Sequence, residues 1–105
     1  MEISFPRVEN YIKAPDSVEF LVVVGGRTIR AAIEWSSMQH LIGSDIIQDE
    51  SVRDFIRKNR GGIELAIKAR LLAQGAPIAG RFVLTLDELQ MSVLSDPAVK
   101  ESASG

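Results

Sequence analysis

Residues 18–35, VEFLVVVGGRTIRAAIEW, decide how this chain folds. Both arms are rich in β-branched and aromatic residues, and Gly25 and Gly26 between them take the positive φ that a two-residue type I′ turn requires. A turn there pairs Val24 with Arg27, Val22 with Ile29, Phe20 with Ala31 and Val18 with Ile33. Because side chains alternate along a strand, this register gathers Val18, Phe20, Val22, Ile29, Ala31 and Ile33 on one face. The opposite face then carries Glu19, Leu21, Val23, Thr28, Arg30, Ala32 and Glu34. Leu21 and Val23 stand there among polar neighbours, so the second face calls for a cover.

Downstream, WSSMQHLIG spaces Trp35, Met38, Leu41 and Ile42 as one side of a short helix that stops at Gly43. From Val52 to Ala73 the apolar residues Val52, Phe55, Ile56, Ile63, Ala66 and Ile67 fall on one arc, with Arg53, Arg57, Arg60, Glu64 and Lys68 on another. We read this as one long amphipathic helix that keeps its phase across Gly61 and Gly62, a break at those glycines being the alternative. A helix of that length outreaches the strands of its sheet. Gly75 and Pro77 end it. In GRFVLTL, Phe82, Leu84 and Leu86 alternate with Arg81, Val83 and Thr85, a further strand, and DELQMSVL adds a last turn or two of helix. The expected fold is α+β: a small antiparallel sheet of three or four strands with a glycine hairpin, packed on one face by a short and a long helix. Residues 1–95 form a single domain, and 96–105, small and polar, form a disordered tail.

At 105 residues with a net charge of −2, the chain is of single-domain size and has no global pull toward nucleic acid or anionic membrane. It has no cysteine, which excludes disulfides, thiolate metal sites and a cysteine nucleophile and fits a reducing cytoplasm. The start, MEISFPRVENY, lacks the basic and apolar regions of a signal peptide, and FLVVV is far shorter than a membrane span.

Few residues point to chemistry. His40 is the single histidine and has no acidic partner at ligand spacing. Ser36 and Ser37 precede a helix without a nucleophile-elbow motif and read as caps. Asp45, Asp49 and Glu50 match no calcium loop and suit the positive end of the next helix. VGGRT has neither phosphate-loop spacing nor a following helix. No catalytic, cofactor-binding or metal residue is assigned, and no cofactor is expected.

Three sets of residues remain as candidates. Leu21, Val23 and Val83 form a candidate interaction surface on the second sheet face. Its cover is either a second copy of the chain or the C-terminal segment folding back with Leu89 and Val93. A two-fold contact needs only one patch, which favours the second copy. Arg53, Arg57, Arg60 and Lys68 form a candidate polyanion face, since such a stripe neutralises phosphates. Acids at i,i+4 spacing, such as Asp49 with Arg53, Asp54 with Lys58 and Glu64 with both Arg60 and Lys68, answer much of that charge and argue against nucleic acid. Asn59 and Arg70 form a candidate buried polar pair on the apolar arc. Asn59 suits a bond to neighbouring backbone, and Arg70 suits a snorkelling position near the helix end.

The order of these features resembles the domain-of-unknown-function 1488 family of small bacterial proteins. Phe20, Gly26, Ile33, Trp35, Met38, Phe55, Arg60, Ile63, Glu64, Ala66 and the FVL of residues 82–84 carry the resemblance, over about Ile3 to Leu89. The chain departs from the family at Glu34, where serine is frequent, and at Gly61 and Gly62, where helix formers are favoured. The resemblance implies helices against a small antiparallel sheet and brings no catalytic residue. The leading expectation is a non-enzymatic protein-interaction or adaptor module acting as a cytoplasmic homodimer, its protein partner unspecified by the sequence. Polyanion binding through the basic helix comes second, and a small-molecule enzyme third.

Overall fold

The computed structural model describes residues 2–6, 11–43 and 48–95, with side chains of the last helix described as far as Ser92. Among the described residues five strands form one sheet: β1 (Ile3–Ser4), β2 (Ile12–Lys13), β3 (Ser17–Val24), β4 (Arg27–Glu34) and β5 (Arg81–Val83). Four helices among the described residues accompany it: α1 (Trp35–Ile42), α2 (Asp49–Lys58), α3 (Arg60–Gln74) and α4 (Leu86–Ser95). The sheet order is β1-β3-β4-β5, with β2 also on β3.

Gly25 and Gly26, at φ 56° and 82°, turn β3 into β4, and the two strands meet with Val24 opposite Arg27 and Val18 opposite Ile33. The outer edge of β3 is lined at one end by β1, with Ile3 opposite Val24, and at the other by β2, with Lys13 opposite Val18. A Pro15-Asp16 turn, closed by the Ala14 amide on the Ser17 carbonyl at 2.8 Å, joins β2 to β3.

The sheet is mixed rather than wholly antiparallel, because β5 runs parallel to β4. The chain leaves β4 through α1, α2 and α3, and such a crossover returns the next strand in the same direction. One core fills the space between the inner sheet face and the helices. It holds Phe20, Ile29 and Ile33 from the sheet, Met38 from α1, Ile56 from α2, Ile63 and Ile67 from α3, and Leu89 from α4.

The helix expected to run unbroken from Val52 to Ala73 is two helices, and they part at Asn59 rather than at the glycines. Asn59 sits at φ −112°, ψ 21°, outside helical geometry. Its side-chain amide donates to the Phe55 carbonyl at 3.0 Å, and its backbone N–H donates to the same oxygen at 2.9 Å. The side chain thus shares a helical carbonyl with its own backbone amide at the residue where the helix is interrupted, a local bond that asparagine makes readily at helix ends. Gly61 and Gly62 fall in the first turn of α3, where few intrahelical amide bonds depend on them. The apolar phase still carries across, with Val52, Ile56, Ile63 and Ile67 all buried.

α4 starts with a capping box. The Thr85 amide donates to Glu88 Oε1 at 2.9 Å, and the Glu88 amide donates to Thr85 Oγ at 3.1 Å. The helix packs along α3, and Leu89 is fully buried in the core. Leu89 is therefore not part of a cover for the outer sheet face, and Val93 lies outside the described side chains. Residues 96–105, expected as a tail, lie outside the described residues.

Candidate functional site

On the outer face of the sheet, alternation and register set Glu19 opposite Ala32, and Leu21 opposite Arg30. Arg30 in turn lies beside Arg81, and Ala32 beside Val83. Two arginines side by side repel one another unless an anion lies between them. Glu19 is that anion. Arg30 Nη1 donates to Glu19 Oε1 at 3.1 Å, and Arg81 Nε donates to Oε2 at 2.7 Å. Arg81 Nη2 also reaches Ser17 Oγ at 3.3 Å, and the Ser17 hydroxyl donates to Asp16 at 3.1 Å. To reach β3 from β5, the Arg81 side chain crosses β4 near Ala32, which is fully buried although it faces outward. The Glu19 hydrogen bond pushes the Arg81 guanidinium above its ordinary value.

The outer face is thus tiled in part by its own arginines. The Glu19 side chain is 7% exposed, while those of Arg30 and Arg81 are 53% and 38% exposed and keep water within reach. Leu21, Val23 and Val83 are half-buried on the same face. The core cluster, to which all four helices contribute, includes no residue of that outer face.

The four candidate polyanion residues are all exposed, but their charges are largely engaged. Arg57 pairs with Asp54 at 3.7 Å and Arg60 with Glu64 at 3.0 Å. Lys68 lies 5.7 Å from the Phe5 ring centroid. Asp49, expected to answer Arg53, is hydrogen-bonded to Lys13, and that bond with the lysine charge holds its carboxyl below the usual range.

Asn59 and Arg70 do not meet. Asn59 is spent on Phe55, whereas Arg70 ties three elements together. Its Nε donates to Gln74 at 2.9 Å, and its Nη1 donates to the Val83 carbonyl at 3.2 Å and to Glu88 at 2.6 Å. The guanidinium also lies 5.5 Å from the Phe82 ring centroid. Rather than snorkelling to water, Arg70 holds α4 to α3 and β5.

His40 is exposed in the last turn of α1. Ser36 and Ser37 lie inside that helix rather than at its cap, which is Glu34. Asp49 and Glu50 occupy the first turn of α2, and Asp45 lies outside the described residues. A depression of about 300 Å³ is lined by Lys13, Trp35, Gln39 and Asp49, and none of His40, Asn59 or Arg70 borders it. Among the described residues no group of three His, Asp or Glu side chains is arranged to hold a metal, and no helix is long and apolar enough to cross a membrane.

Several exposed apolar side chains escaped the sequence reading. Leu65 and Leu72 on α3 are 48% and 70% exposed, and Met91 on α4 is 73% exposed. Leu65 and Leu72 are seven residues apart and share the side of α3 opposite Ile63 and Ile67. The spacing was available in the sequence, but the apolar arc beneath Ile63 accounted for the helix without it.

A family model described as "Protein of unknown function (DUF1488)" matches residues 3–84. The crystal structure of a protein of unknown function from the DUF1488 family, from Shewanella loihica PV-4, is similar with a TM-score of 0.66 at 18% identity. The similarity covers 80% of this chain and 94% of that one. No curated protein matches.

Proposed function

Since the chain belongs to the DUF1488 family, whose description assigns no activity, we propose from its own surfaces that it is a non-enzymatic protein-interaction module acting as a homodimer. The observation that carries this reading is the outer sheet face. Leu21, Val23 and Val83 are half-buried there, and Leu89 of the alternative cover is spent in the core. Burying each fully is worth roughly 1.5–3 kcal/mol relative to leaving it exposed, so a second copy has something to gain. Val23 lies near the hairpin end of the face, beyond the Glu19 cluster. By register the Arg30–Arg81 row lies between Val23 and the Ala32–Val83 row, so a contact on this face joins an apolar patch at Leu21 and Val23 to Val83 across a polar stripe. The cysteine-free sequence fits a cytoplasmic setting.

Light scattering at tens of micromolar tests the proposal: the wild type should be a dimer and Val23→Glu a folded monomer, whereas a monomeric wild type overturns it. Polyanion binding is the weaker reading because Arg57, Arg60 and Lys68 already have partners or ring contacts. Phosphate contacts fade steeply with salt, so a gel shift abolished by moderate salt and by Arg53→Glu with Arg57→Glu would favour it instead.

A further inference from the structure

The depression of about 300 Å³ belongs to three elements: Lys13 comes from β2, Trp35 and Gln39 from α1, and Asp49 from the start of α2. Lys13 lies opposite Val18, so it leaves its strand on the inner side of the sheet, away from Leu21 and Val23. The volume stands at the lower end of small-molecule sites and admits one small molecule rather than a peptide chain. Trp35 is held in place twice. Its indole N–H donates to the Ala14 carbonyl at 3.1 Å and its backbone N–H to the Asp16 carbonyl at 3.1 Å, both in the connection between β2 and β3. Packed on one side against the core, the ring also borders the depression, where it makes a preorganised apolar wall.

At the same depression Lys13 and Asp49 are bonded to each other, with side chains 49% and 65% exposed. An ion pair so exposed contributes little, so its two ends separate readily to admit a ligand. A lone cation would have to expel Lys13 from Asp49, and a lone anion would have to expel Asp49 from Lys13. Either leaves one charge of the pair unanswered, whereas a ligand carrying both charges exchanges one ion pair for two. We propose that this depression binds a small zwitterion, a free α-amino acid with an apolar or planar side chain. Its carboxylate sits on Lys13, its ammonium on Asp49 and its side chain against the Trp35 ring. The site lies apart from the outer sheet face and does not rest on dimer formation.

Trp35 is the single tryptophan of the chain, so its emission reports the site directly. Titration of the full chain with phenylalanine and with leucine should change that emission saturably in the millimolar range or below. Phenylalaninamide, which lacks the carboxylate, and 3-phenylpropionate, which lacks the ammonium, should each bind at least about tenfold more weakly than phenylalanine, the scale of losing one charge-assisted hydrogen bond. Lys13→Met and Asp49→Asn, with circular dichroism to show that each is folded, should weaken phenylalanine to the same extent. Where a variant does not fold, the ligand series on the wild type decides alone. No saturable change with either amino acid, equal binding of phenylalaninamide or 3-phenylpropionate, or folded variants that bind phenylalanine as well as the wild type overturns the proposal.

Discussion

Glu19 is the residue on which the outer face turns. Its carboxylate is nearly buried and each oxygen takes one arginine. Removing one member of a buried ion cluster commonly costs about 3–5 kcal/mol, but the arginines left behind here still reach water. Glu19→Ala should therefore cost about 1–2 kcal/mol in urea unfolding, and a change below about 0.5 kcal/mol would mean that the cluster is only a surface ornament. Half of this cluster was legible. The glycine turn makes Glu19 and Arg30 diagonal neighbours, within reach of a long side chain. Arg81 was not, since nothing local in the sequence says that β5 returns beside β4. The same gap hid the role of Arg70, whose partners Val83 and Glu88 lie on that returning strand and the helix after it.

The elements show where periodicity suffices and where it does not. The apolar arc survives the passage from α2 to α3, so a reading by phase alone joins them. They divide at Asn59, whose backbone leaves helical geometry and whose side chain bonds the Phe55 carbonyl. Gly61 is exposed inside α3, and Gly61→Ala should raise stability by roughly 0.5–1 kcal/mol, visible as a higher denaturant midpoint. A lower midpoint would place the break at the glycines after all. α4 carries a pH signature. Burial pushes the Glu88 carboxyl up, but the Thr85 amide and hydroxyl together with Arg70 outweigh it and hold it below the usual range. A carboxyl lowered in the folded state contributes fully above its unfolded value of about 4.3, and that contribution is lost as pH falls through the folded value. Corrected for intrinsic rates, hydrogen exchange of the α4 amides should be flat from neutral pH to about 5 and rise in more acid solution. Glu88→Gln should abolish that rise. The Thr85-x-x-Glu88 box was readable in the sequence, but its helix was assigned without a cap.

At the scale of the whole molecule, the chain is a mixed sheet with helices on one side and two surfaces that nothing described fully covers. One is the outer face of Leu21, Val23 and Val83, and the other is the side of α3 that carries Leu65 and Leu72. Family membership sets the architecture but carries no activity to it. The proposed self-association uses the first surface and leaves the second outside that contact. Sedimentation of three chains at tens of micromolar separates these assignments: wild type, Val23→Glu and Leu65→Glu. A dimer is expected for wild type and Leu65→Glu, and a folded monomer for Val23→Glu. A monomeric wild type, or a dimer that Leu65→Glu dissociates and Val23→Glu does not, would contradict it.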